Sequence, residues 1–312
     1  MAKISRRDAG KVLLAGSAGL MLQHGELRAA SRIDSVVRGV QIGAQSYSFR
    51  DRPLDRCIAA YVSTALGEAE LWQEHVEPGT GGDLAWQKRV SRDSLRRWRL
   101  TTPLSHFHEI RRQFDHAGVR LYAYNYSFTK DLTEAEIERG FAMAQALGVS
   151  YITSSGNISV IPTVDRYAQR YKIMVGNHGH DQTDKPDEFS TAATFAEAMK
   201  GASRYIGVNL DIGHFTAAGG DAVAYIREHH DRIVTLHIKD RKKNHGPNMP
   251  FGQGDTPIKE VLWVLRDNRW KIPANIEYEY GKPGMDTIAE VEKCYAYCRR
   301  ALDTVQGFDT RQ

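Results

Sequence analysis

From about residue 37 the chain alternates short apolar runs with longer stretches whose apolar positions recur every three or four residues. The short runs predict strands at Gly39–Ala44, Glu68–Trp72, Val119–Tyr124, Tyr151–Thr153, Lys172–Gly176, Ile206–Asp211, Ile233–Ile238 and Ala274–Tyr278. The longer stretches predict helices at Leu54–Leu66, Leu104–Ala117, Thr133–Leu147, Thr191–Lys200, Asp221–His229, Ile258–Asn268 and Met285–Leu302. Gly118, Gly148 and Gly207 stand between a helix and the next strand, where left-handed backbone ends a helix. Thr133 with Glu136 three residues later predicts a capping box.

Strand–helix units of this number in roughly 275 residues predict an α/β fold, a single (β/α)8 TIM barrel over residues 37–303. The rival is a doubly wound sheet, which wants a glycine-rich phosphate loop after its first strand. Gly39-Val40-Gln41-Ile42-Gly43-Ala44-Gln45 is not such a loop. The stretch His75–Arg99, with Pro78-Gly79-Thr80-Gly81-Gly82, reads as an enlarged loop after the second strand, and residues 304–312 as a tail.

Barrel enzymes carry their reactive groups where strands end, and the two-residue period of a strand sorts side chains between interior and helix layer. In the fifth strand Ile173 and Val175 belong to the helix layer, which turns Met174, Gly176 and His178 inward. By the same parity Asn209 and Asp211 face inward in the sixth strand, Thr235, His237 and Lys239 in the seventh, and Asn275, Glu277 and Glu279 in the eighth. Val208, Leu210, Val234, Leu236 and Ile238 face out, and the second strand sends Glu70 and Trp72 in. Four consecutive strands thus deliver His178, Asp211, His237 and Glu277 at their carboxyl ends. Each alone has an ordinary explanation: an inward histidine hydrogen-bonds in the core, and a terminal aspartate caps a helix. Together, two imidazoles and two carboxylates suit one divalent cation, Mn, Zn, Co or Mg, because buried charges on adjacent strands are costly without a partner.

The segments Asp211-Ile212-Gly213-His214, Leu236-His237-Ile238-Lys239-Asp240 and Ile276-Glu277-Tyr278-Glu279 resemble the xylose-isomerase-like barrel superfamily. That group includes sugar and sugar-phosphate isomerases, ketose epimerases, inosose dehydratases and barrel-type abasic-site endonucleases. The resemblance implies Asp211, His237 and Glu277 as metal ligands and His214 as a substrate contact. The epimerases carry a glutamate at the end of the fifth strand, where this chain reads Val175-Gly176-Asn177-His178-Gly179-His180-Asp181. His178 can replace that ligand, but the paired-carboxylate proton shuttle does not carry over. Histidine-bearing versions resemble branches acting on inososes or 3-keto sugars.

The chemistry shared by these enzymes is proton removal next to a carbonyl, with the metal as Lewis acid. Glu279 and His214 are the candidate bases and Lys239 the acid or oxyanion partner; Lys239 could equally pair with Glu277 or Asp211, and Glu279 could merely orient a ligand. Glu70, Trp72, Tyr124, Asn125, Ser155 and His180 are candidate substrate contacts. Trp72, Tyr124, Tyr126 and Trp86 offer rings for a sugar to stack on, though aromatics at strand ends also serve as plain core. The expected function is a metal-dependent sugar isomerase or epimerase. The alternatives are a lyase eliminating from a 3-keto-glycoside or inosose, and a sugar-binding barrel without catalysis.

Composition narrows the partners. The formal charge of +4 is uneven: Lys3, Arg6, Arg7, Lys11 and Arg28 against Asp8 and Glu26 leave the rest of the chain near neutral. A near-neutral body gives no footprint for nucleic acid. It also speaks against a multi-zinc nuclease, and the basic loop at Lys242, Lys243 and His245 reads as solvated before it reads as a phosphate site. Residues 1–30, with paired arginines, the apolar run Val12–Leu22 and Leu27-Arg28-Ala29-Ala30, read as a twin-arginine-type signal segment. The expectation is a periplasmic protein without a stable membrane anchor, acting on a small, non-phosphorylated carbohydrate; a homo-oligomer is left open. Three cysteines, with Cys294 and Cys298 four apart on one helix, give no disulfide framework.

Overall fold

The computed structural model of the protein describes residues 31–79, 86–87, 89–281 and 284–304. The expected leader, residues 80–85 of the second-loop insertion and the tail from residue 305 lie outside the described residues. Eight parallel strands make one closed sheet: β1 (Val40–Gln45), β2 (Glu68–Trp72), β3 (Arg120–Asn125), β4 (Tyr151–Ser154), β5 (Met174–His178), β6 (Ile206–Asp211), β7 (Ile233–Ile238) and β8 (Ala274–Ile276). They run in the order β1-β8-β7-β6-β5-β4-β3-β2, and β1 pairs with β2 to close the ring. The fold is the expected TIM barrel.

Around it lie α1 (Leu54–Ser63), α2 (Arg92–Thr101), α3 (Leu104–His116), α4 (Glu134–Ala146), α5 (Ile161–Tyr171), α6 (Ala192–Met199), α7 (Ile212–Ala217), α8 (Ala222–His229), α9 (Ile258–Asn268) and α10 (Thr287–Asp303). The outward strand residues, among them Ile42, Val175, Val208, Leu210, Leu236 and Ile276, are completely buried against this helix layer, so the core lies between sheet and helices. Thr133 and Glu136 form the capping box of α4. Gly118 and Gly148 take left-handed backbone, φ +72° and +67°. Gly207 does not: it lies inside β6, where a Cβ would come 2.5 Å from the Arg232 carbonyl oxygen. The left-handed turn ahead of β6 is made by Gly201, φ +74°. The cysteines are free and buried.

Two register shifts alter the parity. Between β6 and β7 the pairing steps from Val208–Ile233 to Asn209–Thr235 and skips Val234. Val234 therefore turns inward, where its Cγ2 would sit 2.1 Å from a Cβ on Gly176, rather than outward as expected. Between β2 and β3 the pairing steps from Ala69–Leu121 to Glu70–Ala123 and skips Tyr122. Tyr122 reaches across to donate to the Val234 carbonyl at 2.7 Å.

At the amino end of β2 the Glu68 carboxyl is wholly buried, with Oε2 3.1 Å from Arg120 Nη1 and Oε1 lacking a partner. Burial pushes its pKa up to about 7, against the opposing pull of Arg120. A raised carboxyl pKa lends stability that is complete below the unfolded value and is lost as pH rises through the folded one. Glu68→Gln should therefore match the parent near pH 4 and exceed it by up to about 3 kcal/mol at pH 8, less what the Arg120 pair contributes. Urea unfolding at the two pH values measures this; an equal pH dependence in both proteins contradicts it.

Candidate active site

The carboxyl ends of β5 to β8 bring together the four residues that parity singled out. The register places Asp211 opposite His237, while His178 pairs with Asn209, two residues before Asp211, and Glu277 lies two residues past Asn275, the partner of His237; steps of two keep all four side chains on the same side of the sheet. One ligand atom from each of His178, Asp211, His237 and Glu277 lies within 4.8 Å of the others, and all four residues are buried. The His178 and His237 rings are 4.7 Å apart.

The donor set fits a divalent cation. Asp211 Oδ1 caps α7 by accepting from the His214 backbone N–H at 2.7 Å, while its buried Oδ2 is ion-paired with Lys239 Nζ at 3.1 Å. His178 Nδ1 is buried and unpartnered. An orphaned ring nitrogen of this kind is costly in a core unless something else satisfies it. Burial, with the neighbouring His237 and His180, holds the His178 pKa well below its ordinary value, which keeps it neutral as a ligand must be. Burial raises the Asp211 pKa, against the opposing pull of Lys239.

His237 is fixed from both sides. Its Nδ1 lies 3.1 Å from Glu277 Oε2, and its Nε2 lies 3.0 Å from both oxygens of Glu70 and 3.0 Å from Asn209 Nδ2. Burial disfavours the charged ring, but Glu70 and Glu277 outweigh it and hold the pKa well above the usual range, so a cation bound at Nδ1 would have to displace the proton shared with Glu277 while Nε2–H stays on Glu70. Glu70 also accepts from the Thr153 hydroxyl at 2.6 Å, and Asn125 Nδ2 donates to Thr153 Oγ1 at 3.2 Å. Glu70 and Asn125, expected to touch substrate, thus lie beneath the mouth and orient His237, as outer partners of ligating imidazoles do.

Above this layer, Lys239 Nζ is 2.6 Å from Glu279 Oε2, 2.8 Å from Glu277 Oε2, 3.1 Å from Asp211 Oδ2 and 3.1 Å from His214 Nε2. Burial opposes its charge, yet Asp211, Glu277 and Glu279 keep its pKa well above the ordinary value. For Glu279, burial would raise the pKa, but Lys239 lowers it, so the group stays ionised. Arg241 Nη1 stands 2.6 Å from His214 Nδ1 and 2.9 Å from Asp181 Oδ1.

The other expected contacts divide. His180 is half-buried, 4.8 Å ring to ring from His178 and 5.2 Å from His214; burial lowers its pKa to about 4. Ser155 is half-buried just past β4, and Trp72 stands at the mouth with Tyr47 edge-on at 5.0 Å. Tyr124 is a correction: the bulge at Tyr122 leaves it completely buried beside Glu77 and Arg99, outside the mouth. Tyr126 is core too, its hydroxyl on the Glu136 carbonyl at 3.2 Å, and Trp86 stacks on His75 while its indole N–H bonds the Arg50 carbonyl. In the basic loop Lys242 pairs with Asp255 at 3.3 Å. Sequence reasoning missed Asn209 as a partner of His237, and also Tyr47, Asp181, Arg241 and Asn248. Tyr47 alone carried a signal, lying two residues past the end of β1.

Fold and donor set define a parallel barrel with a buried two-histidine, two-carboxylate cluster at the carboxyl ends of its strands. A sequence model of the family described as xylose isomerase-like TIM barrel matches residues 90–297. The chain belongs to the xylose isomerase-like TIM barrel family. No curated protein matches the sequence. Among solved structures, a sugar phosphate isomerase/epimerase from Parabacteroides distasonis superimposes with TM-score 0.59 at 16% identity, covering 85% of this chain and 97% of that one. The probable 3-DHS dehydratase AsbF of Bacillus anthracis gives 0.60 at 11%, covering 83% and 99%. A xylose isomerase domain protein from Planctomyces limnophilus gives 0.59 at 13%, covering 78% and 91%. At these identities the likeness is one of fold.

Proposed function

We propose that the protein is a divalent-metal-dependent enzyme that removes a proton next to the carbonyl of a sugar-like substrate. The supporting observation is the Lys239–Glu279 pair, 2.6 Å apart, set directly over the four-donor cluster. A metal held by His178, Asp211, His237 and Glu277 would supply Lewis-acid stabilisation of negative charge on the substrate oxygen. Glu279, ionised and partly open to the mouth, takes the proton from carbon. Lys239 holds positive charge beside the oxygen on which charge develops. His214, between Lys239 and Arg241, orders this cationic wall.

With His178 neutral where an opposed carboxylate would stand, Glu279 is the one carboxylate placed to shuttle a proton. A single base removes a proton from one carbon and returns it to its neighbour, while the hydroxyl proton passes to the former carbonyl oxygen, which is isomerisation. Epimerisation through two opposed carboxylates fits less well. If a β-substituent is present, the C–H electron pair becomes the new double bond, the C–O bond breaks with its pair, and the departing oxygen takes up a proton; this is the lyase reading. It is favoured by the cavity that starts at Asn248, whose Nδ2 lies 3.3 Å from Glu279 Oε2. The leader expected at residues 1–30 would place the enzyme in the periplasm, where a non-phosphorylated sugar or glycoside is the reasonable substrate.

The test is proton–deuterium exchange in deuterated buffer with added manganese, over ketoses, inososes and 3-keto-glucosides. The proposal expects metal-dependent deuterium entry next to the carbonyl of at least one compound, and the product separates isomerase from lyase. Unaltered substrates throughout the panel, with sugar binding indifferent to metal, would instead support a binding protein.

A further inference from the structure

A second built feature lies beside the donor cluster, between the segment after β7 and α10. A cavity of about 570 Å³ is lined by Asn248 and Phe251 from the segment after β7, Tyr280 after β8, and Lys293, Tyr297 and Arg300 of α10. That volume suits a small organic group. Its rings are held in place. The Tyr280 hydroxyl donates to Glu290 Oε2 at 3.0 Å, and Phe251 meets Tyr297 edge-on at 6.0 Å. Gly252 carries φ +88°, and a Cβ there would lie 2.7 Å from the Tyr297 ring. The loop is therefore pressed on that ring, and the aromatic walls stand ready-made.

Asn248 joins this cavity to the chemistry. Its Nδ2 donates to Glu279 Oε2 at 3.3 Å, and its Oδ1 is buried with no partner. The unpartnered acceptor has room for a donor from whatever occupies the cavity, and the Phe251 and Tyr297 rings suit a flat apolar group. Further along α10, Arg300 is exposed with no ion pair among the described residues, while Lys293 is tied to Glu290 at 2.6 Å. The outer end thus offers a free cation to an anionic substituent.

We propose that this cavity binds the non-sugar half of the substrate, an aryl group carrying hydroxyl or carboxylate substituents, so that the preferred substrate is an aryl glycoside rather than a free monosaccharide. This rests on the sugar reading of the neighbouring site. The ring lies against Phe251 and Tyr297, Asn248 Oδ1 receives a hydroxyl, and Arg300 faces the outer substituent.

The probe is 4-hydroxybenzoate, titrated calorimetrically into the full chain. Saturable binding is expected, weakened about tenfold in Phe251→Ala and a few-fold in Arg300→Ala, an exposed change that leaves the fold alone. Binding should persist in His237→Ala, which separates this cavity from the metal cluster. In parallel, 4-nitrophenyl 3-keto-glucoside should bind tighter than methyl 3-keto-glucoside, with the gap closing in Phe251→Ala. Absence of saturable binding at 10 mM probe (a level roughly ten times a weak 1 mM site), or affinities unchanged in both cavity variants, overturns the proposal. If the probe binds as expected but neither glycoside exchanges deuterium, the sugar reading fails and the aryl site stands. If both glycosides react alike and the probe does not bind, the aryl site fails alone.

Discussion

Glu279→Gln is expected to lower turnover about 10²- to 10⁴-fold while leaving metal content unchanged. The residue lies outside the four donors, yet its Oε2 touches Lys239 Nζ at 2.6 Å and Asn248 Nδ2 at 3.3 Å. The amide keeps the shape and the Asn248 contact but cannot accept a proton from carbon. The deuterium-exchange rate should fall with turnover, because both need the same proton transfer. If exchange persists at the parental rate, the base lies elsewhere, and His214 becomes the first candidate. If metal is lost, Glu279 is a ligand and the four-donor set is wrong.

The second large effect falls on His237. Replacing it with Ala should abolish metal binding at stoichiometric concentration and with it all exchange. It should also destabilise the fold, because Glu70 would be left wholly buried without the ring that faces it at 3.0 Å. Breaking a buried charged pair from one side costs about 3–5 kcal/mol, on the order of a 10 °C fall in Tm for a domain of this size. The double variant His237→Ala with Glu70→Gln separates the two consequences. It should recover much of the Tm, because no carboxylate is then stranded, and still bind no metal. A double variant as unstable as the single one would show that Glu70 is not the stranded group.

The parts that were legible in the sequence are those set by local periodicity. β2, β6 and β7 fall on their expected bounds, since a parallel barrel strand is an apolar run ended by turn residues. The ligand quartet followed from two-residue parity, which holds along β5 and through the carboxyl ends of β6 and β7 and just past β8. Parity failed where a bulge inserts a residue, and Val234 turned inward; the bulge at Tyr122 likewise puts Tyr124, expected as a substrate contact, into the buried layer instead of the mouth. No pattern within a strand announces such a step, because it arises from fitting neighbouring strands of a closed ring. Three helices also escaped. In α2 only Leu95 and Arg99 are buried, so its sequence offers no apolar face; α5 opens with proline near its start; and α7 is a six-residue turn, too short to show a period. The role of Glu70 was out of reach for another reason. Its bond to His237 joins residues 167 apart and exists only because the barrel closes. Asn248 reaches Glu279 in the same way, from a loop whose path depends on its packing against α10.

The measurement that bears most directly on the account is metal binding by the chelator-stripped protein. It would be dialysed in turn against manganese, zinc and cobalt, with bound metal counted per chain by mass spectrometry. One tightly held ion per chain is predicted for at least one of these metals and none in Asp211→Ala, which removes a buried carboxylate from the four-donor group. Failure of all three metals to bind, or a full equivalent retained by Asp211→Ala, would contradict it.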